Sequence, residues 1–107
     1  FTINSGGSSS SSWRTITAAT DNVFSGEKLF VNTSSNAITL TLPAAPATGD
    51  QISFLDIADN FDTNALTLNP NSLKVFGATA NGTVSTEGAG FTLVYTGATY
   101  GWKITEK

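Results

Sequence analysis

From Asn36 the chain alternates apolar and polar side chains without a break. Ile38, Leu40 and Leu42 point one way, and Ala37, Thr39 and Thr41 the other. A period of two is that of a half-buried strand, because successive side chains leave opposite faces of a pleated backbone. Pro43 has no N–H for a ladder and ends the run. Pro46 and Gly49-Asp50 form a stiff turn. Ile52 and Phe54 then resume the alternation, with Leu55 and Ile57 on the opposite face. That change of phase predicts a bulge or a strand buried on both faces.

The same pattern continues on either side. Ile16 and Ala18 alternate with Thr15 and Thr17 over 14–20, and Leu29 and Val31 oppose Phe30 over 27–33. Leu66 and Leu68 mark a strand over 65–69, and a short one over 73–76 ends at Gly77. Asn81-Gly82 reads as a type I′ hairpin turn, since both residues tolerate positive φ. Residues 91–95 are apolar on both faces, and Tyr100, Trp102 and Ile104 share one face of a last strand. The count is about eight short strands at a spacing of roughly 10 residues, with no helical period. The expected fold is all-β, an antiparallel β-sandwich or barrel-like module. Its expected core is Ile38, Leu40, Leu42, Ile52, Phe54, Leu66, Leu68, Leu93 and Trp102.

Asn36-Ala37-Ile38-Thr39-Leu40 is echoed by Asn64-Ala65-Leu66-Thr67-Leu68. Two copies fall short of a solenoid, so the echo reads as two strands entered by similar turns. Residues 1–12 contain a Gly/Ser run and read as a linker, or as an arm held by a neighbouring subunit. Residues 13–107 form the β module. No methionine occurs, so the chain is expected to be a processed product or a piece of something longer.

Composition narrows the function. Hydrophobic residues make up 39% and charged residues 12%, with Ser, Thr, Asn and Gly filling the difference. Net charge is −3, and the five Lys and Arg form no cluster. Nucleic acid is therefore not an expected partner. No apolar run reaches the roughly 20 residues of a membrane-spanning helix, so membrane insertion is not expected either. Absent cysteine rules out disulfides and thiolate metal sites.

Histidine is absent too. The usual general base, the thiol nucleophile and most transition-metal ligands are missing, so neither enzymatic activity nor a cofactor is expected. Asp50, Asp56, Asp59, Asp62 and Glu87 offer carboxylates for a glycosidase pair, but in turns such side chains usually serve local backbone. Asp59, Asn60, Asp62 and Asn64 are calcium candidates by oxygen count. Their spacing lacks the Gly and Glu of an EF-hand loop, and a metal-free loop is expected. Tyr100, Tyr95 and Trp13 are the ligand-binding candidates, as aromatics able to stack on sugars, whereas Trp102 is expected in the core. Phe30, Leu55, Ile57 and Val94 lie on the second apolar face of their strands. A thin sandwich cannot bury that face alone, which makes them assembly candidates.

Several short motifs occur in order: Ala37-x-Thr39-Leu40-Thr41-Leu42-Pro43-Ala44-x-Pro46-x-x-Gly49-Asp50, Phe54-x-Asp56, Phe61-x-Thr63-Asn64-x-Leu66-Thr67-Leu68, Phe91-x-Leu93-Val94-Tyr95 and Gly101-Trp102. Together they resemble a small β module of structural and tail-fibre-like proteins of tailed bacteriophages, especially marine and cyanobacterial ones. The resemblance runs from Trp13 onward. One departure is Ser72, which stands where an Asn-Gly turn is expected. The resemblance implies a virion location and trimeric assembly, and supplies no catalytic residues. The expected function is a non-enzymatic structural module of the particle, in a tail fibre or appendage or as a capsid decoration. It would assemble with copies of itself and with neighbouring virion proteins. The alternative is a carbohydrate-binding adhesin module for host-surface glycans.

Overall fold

The structure, a computed structural model, describes residues 13–106. The arm expected over 1–12 lies outside the described residues. The strands are β1 (Trp13–Ile16), β2 (Thr20–Asn22), β3 (Lys28–Val31), β4 (Ile38–Thr41), β5 (Gln51–Asp56), β6 (Leu66–Asn69), β7 (Gly82–Val84), β8 (Gly90–Tyr95) and β9 (Trp102–Glu106). Among the described residues there is no helix.

A five-stranded sheet runs β1-β3-β5-β8-β9, and a four-stranded sheet runs β2-β4-β6-β7. From β1 to β6 the chain changes sheet at every step. A chain that crosses to the other sheet and returns re-enters the first in its original direction. Accordingly β1, β3 and β5 stack in parallel, as do β2, β4 and β6. Three coils of a flattened spiral result. The last three strands pair antiparallel and cap it, β7 on β6, β8 on β5 and β9 on β8. The all-β fold in two sheets is as expected, whereas its antiparallel pairing and the barrel alternative are corrected. Both sheets are mixed and neither closes. The echo is corrected as well: Ile38 lies beside Leu66, Thr39 beside Thr67 and Leu40 beside Leu68. It is the register of two stacked coils.

All nine expected core residues are buried, joined by Ile16, Val23, Leu29, Val31, Phe61, Val75 and Phe91. Each full burial of a large apolar side chain contributes about 1.5–3 kcal/mol. Strand alternation sorts the faces. In β3, Leu29 and Val31 point in, and Lys28 and Phe30 point out. Phe54 and Phe91 stack inside at 5.0 Å. The outer face of the four-stranded sheet carries a register row of Thr20, Thr39, Thr67 and Thr83.

No bulge interrupts β5, whose pairing with β3 and β8 is continuous. The position after Phe54 and Leu55 that points inward is Asp56, a buried carboxylate. A polar residue on the apolar face imitated a phase switch. The irregularity lies instead between Thr92 and Leu93, where β8 pairs with β9.

Turn chemistry differs from expectation at two places. Gly82 lies inside β7 and lacks positive φ, so Asn81-Gly82 is not a type I′ turn. That role falls to Phe76 and Gly77, with φ of 54° and 84°, closed by Val75 and Ala78 bonding both ways at 2.9 and 3.2 Å. The exchange is steric: the Phe76 ring packs on Gly82, and a Cβ there would sit 2.6 Å from Phe76 Cδ2. Asn71 and Ser72 also have positive φ, 57° and 74°. Ser72 therefore adopts the backbone that Asn-Gly would supply more easily.

Candidate functional site

The outer face of the five-stranded sheet is the best-formed candidate surface. β1 is an edge strand, and its alternation turns Trp13 and Thr15 out and Arg14 and Ile16 in. Trp13 stacks on Phe30, ring centroids 4.7 Å apart and 7° from parallel. Lys28 Nζ lies 5.9 Å from the centre of the Trp13 ring. Register continues this row across the sheet. Trp13 pairs with Lys28, Lys28 with Ser53, and Ser53 with Thr92. The Ser53 and Thr92 hydroxyls are hydrogen-bonded at 2.9 Å. With Leu55 and Gly90 these residues border an open groove of about 340 Å³.

The three aromatic candidates are not brought together. Trp13 is 40% exposed at the β1 edge. Tyr100 is 63% exposed in the β8–β9 turn, at the opposite side of the sheet. Tyr95 is buried with its ring 5.3 Å from that of Trp102, so it has no face to offer a ligand. Its place in the alternation of β8 points it inward beside Phe91 and Leu93. Sequence reasoning missed Lys28, Ser53 and Thr92. They join Trp13 only through pairing between strands far apart in the chain.

The assembly candidates Phe30, Leu55 and Val94 are half-buried on this same outer face, and Ile57 is exposed just beyond β5. Phe30 already has Trp13 stacked on it within its own chain. A second apolar surface lies at the other side, where β7 and β9 end their sheets. There Val84, Ala89, Phe91 and Ile104 line a cleft of about 460 Å³, with Glu87 at its rim. Ile104 pairs with inward-facing Leu93, yet is 37% exposed because no further strand covers it.

Of the five acidic candidates, Asp56 and Asp50 are engaged in local structure. Asp56 accepts from Asn60 N at 2.9 Å, Phe61 N at 3.0 Å and Gly88 N at 3.0 Å. Asp50 accepts from Ser25 Oγ at 2.9 Å and Ala47 N at 2.8 Å. Of the calcium candidates, Asn60 and Asn64 donate their amides to the Thr33 carbonyl at 3.0 and 2.8 Å. Asp59 and Asp62 are exposed. Among the described residues no group of three or more carboxylates is placed to hold a metal ion. No helix among them is long and apolar enough to cross a membrane.

Arg14 points inward at the rim and holds Glu27 through two bonds of 2.8 and 3.0 Å, with Asp21 at 3.2 Å. An inward charge on an edge strand also discourages pairing with strangers. Burial works to raise the Glu27 pKa, but the Arg14 hydrogen bonds, the Phe24 N–H and the Arg14 charge outweigh it. The carboxyl is held below its ordinary value of 4.5. A depressed folded-state pKa gives stability that is present above the unfolded value and lost as pH falls through the folded one. Stability is therefore expected to decline as pH drops below about 4.5. Urea midpoints at pH 6 and pH 3 check this. The Arg14→Ala protein should lose less than the parent between the two, and an equal loss would remove the pair as the cause.

Compared with protein-family models and with curated proteins, the chain matches none.

Proposed function

We propose that this chain is a non-enzymatic structural module of a bacteriophage particle, in a tail fibre or other appendage or as a capsid decoration. It works in the virion, assembling with copies of itself as a trimer and with neighbouring virion proteins. The carrying observation is the open side of the sandwich, where Val84, Phe91 and Ile104 line an apolar cleft between the last strand of each sheet. These are β7 and the part of β9 beyond Trp102, the start of β9 being bonded to Lys74 and Phe76. Open edges invite pairing, and cyclic symmetry lets each copy cover the exposed side of the next. Scarce charge supports the same reading, since Thr- and Asn-rich surfaces are desolvated at modest cost. The placement of Asp50, Asp56 and Glu27 in structural bonds supports a non-catalytic role.

Light scattering of the full chain tests the assembly. A trimer is expected, and Ile104→Lys should shift it to monomer by placing an ammonium in the cleft. Ile104 is exposed enough to accept lysine without unfolding, which far-UV circular dichroism would verify. A parent chain that stays monomeric at millimolar concentration would defeat the proposal.

A further inference from the structure

We infer that the outer face of the five-stranded sheet carries a groove for an acidic saccharide laid across the strands. Trp13 is the stacking platform, Lys28 the partner of a sugar carboxylate, and the Ser53 and Thr92 hydroxyls meet ring hydroxyls. This inference is independent of self-assembly. The groove and the cleft adjoin at Gly90 and Phe91, but Trp13, Lys28, Ser53 and Thr92 line the groove alone, and Val84 and Ile104 the cleft alone.

Four observations carry it. The row from Trp13 to Thr92 crosses β1, β3, β5 and β8 in register. At about 4.8 Å per strand it spans roughly 14 Å, the scale of a short oligosaccharide. Second, Trp13 is backed by Phe30 at 4.7 Å, so its ring is oriented before any ligand arrives. Preorganisation of that kind reduces the ordering cost of binding. The Lys28 ammonium, 5.9 Å over that ring, has to swing onto the sugar carboxylate for a sugar to stack there. Third, the Lys28 ammonium has no carboxylate partner among the described residues, while Asp21 and Glu27 are turned onto Arg14. Lys28 stands at the Trp13 end of the row, whereas register places Glu106 beside Thr92 at its other end, so an anionic group is favoured at the Trp13 end despite the net charge of −3. Fourth, Gly90 leaves a gap in the neighbouring row. Its φ is not in the left-handed region, so the backbone does not demand glycine. A Cβ there would stand 3.2 Å from Leu55 Cδ1 and crowd the groove. A glycine inside a strand often marks close approach of a ligand.

The bond between Ser53 and Thr92 uses one hydroxyl hydrogen of the pair. The other hydroxyl hydrogen and the remaining lone pairs stay free for a sugar. Stacking selects a flat sugar face and Lys28 selects a carboxylate. Uronate oligomers satisfy both.

Calorimetric titration of the full chain with galacturonate hexamer tests this, with maltohexaose and a thymidine oligonucleotide as comparators. Fluorescence reports the same event, because Trp13 is half-exposed and Trp102 is buried. Binding of the uronate alone is expected. Lys28→Gln should weaken it about tenfold. Trp13→Ala should abolish it, and Trp13→Phe should restore part. Tyr100→Ala, at the far edge, should change nothing. No uronate binding at millimolar concentration overturns the inference. So does equal binding of maltohexaose or of the oligonucleotide, or full affinity in Lys28→Gln.

Discussion

Asp56→Ala is expected to cost about 3–5 kcal/mol, a large share of the roughly 5–15 kcal/mol that holds a small domain together. The carboxylate is buried at the end of β5. It accepts backbone N–H groups from Asn60, Phe61 and Gly88. Two of these lie in the loop between β5 and β6, and the third lies before β8. One side chain thus ties the third coil of the stack to its antiparallel cap. Bonds to a charged acceptor are worth about 1.5–3 kcal/mol, and a buried donor left alone costs about 1–3 kcal/mol. Water can reach part of the site in the alanine protein and relieves some of that loss. Asp56→Asn keeps the shape and can place its amide oxygen where Oδ2 accepts all three bonds, but it loses the charge and turns its NH2 toward Asn60 N, so it should recover about half. Urea unfolding at pH 7 measures both. A cost under 1 kcal/mol for the alanine protein would show that the three N–H groups find other partners.

The same residue shows how far the sequence could be read. Period-two alternation located seven of the nine strands and the expected core, because each strand hides one face and exposes the other. It missed the three-residue strands β2 and β7, and the strand expected over 73–76 is a tight turn with isolated bridges at Val75. At Asp56 the alternation continues with a carboxylate on the inner face, and pattern alone took this for a change of phase. Strand direction was illegible for a different reason. Alternation says which side chains share a face but not which strand lies beside which. Trp13 pairs with Lys28, fifteen positions on, and Lys28 with Ser53, twenty-five positions on. Coils of unequal length leave no fixed repeat, and only the stretch at Ile38 and Leu66 kept enough identity to echo. The candidate groove was hidden by the same cause. Trp13 could be singled out as an aromatic, but Lys28, Ser53 and Thr92 become its neighbours only once the parallel register is known. Tyr95 shows the converse: a strand apolar on both faces does not reveal which face is the inner one.

Gly101→Ala is expected to cost more than about 3 kcal/mol, well beyond the ordinary penalty for leaving glycine at positive φ. Gly101 has φ of 72°, in the left-handed region. Steric strain there accounts for about 1–2 kcal/mol. The remainder is contact. A Cβ on Gly101 would overlap the Lys74 carbonyl oxygen and stand 2.6 Å from Lys74 Cβ and 2.7 Å from Lys74 C. Backbone cannot swing aside as a side-chain tip can. That close approach has a purpose. It lets Trp102 N–H reach Lys74 O at 2.9 Å and Phe76 N–H reach Trp102 O at 3.1 Å, docking the segment before β7 against the start of β9. Gly101 O also accepts from Thr96 N at 2.9 Å and Thr96 Oγ1 at 2.7 Å, which fixes the β8–β9 turn. Trp102, fully buried, enters the core directly from this point. Gly77→Ala is the matched control, since Gly77 has φ of 84° and no atom within 4 Å of its would-be Cβ. It should lose only about 1–2 kcal/mol. Urea unfolding of both variants, followed by Trp fluorescence, separates strain from contact. If the two lose the same amount, the Lys74 contact contributes nothing and the docking of 73–78 onto β9 is looser than the geometry implies.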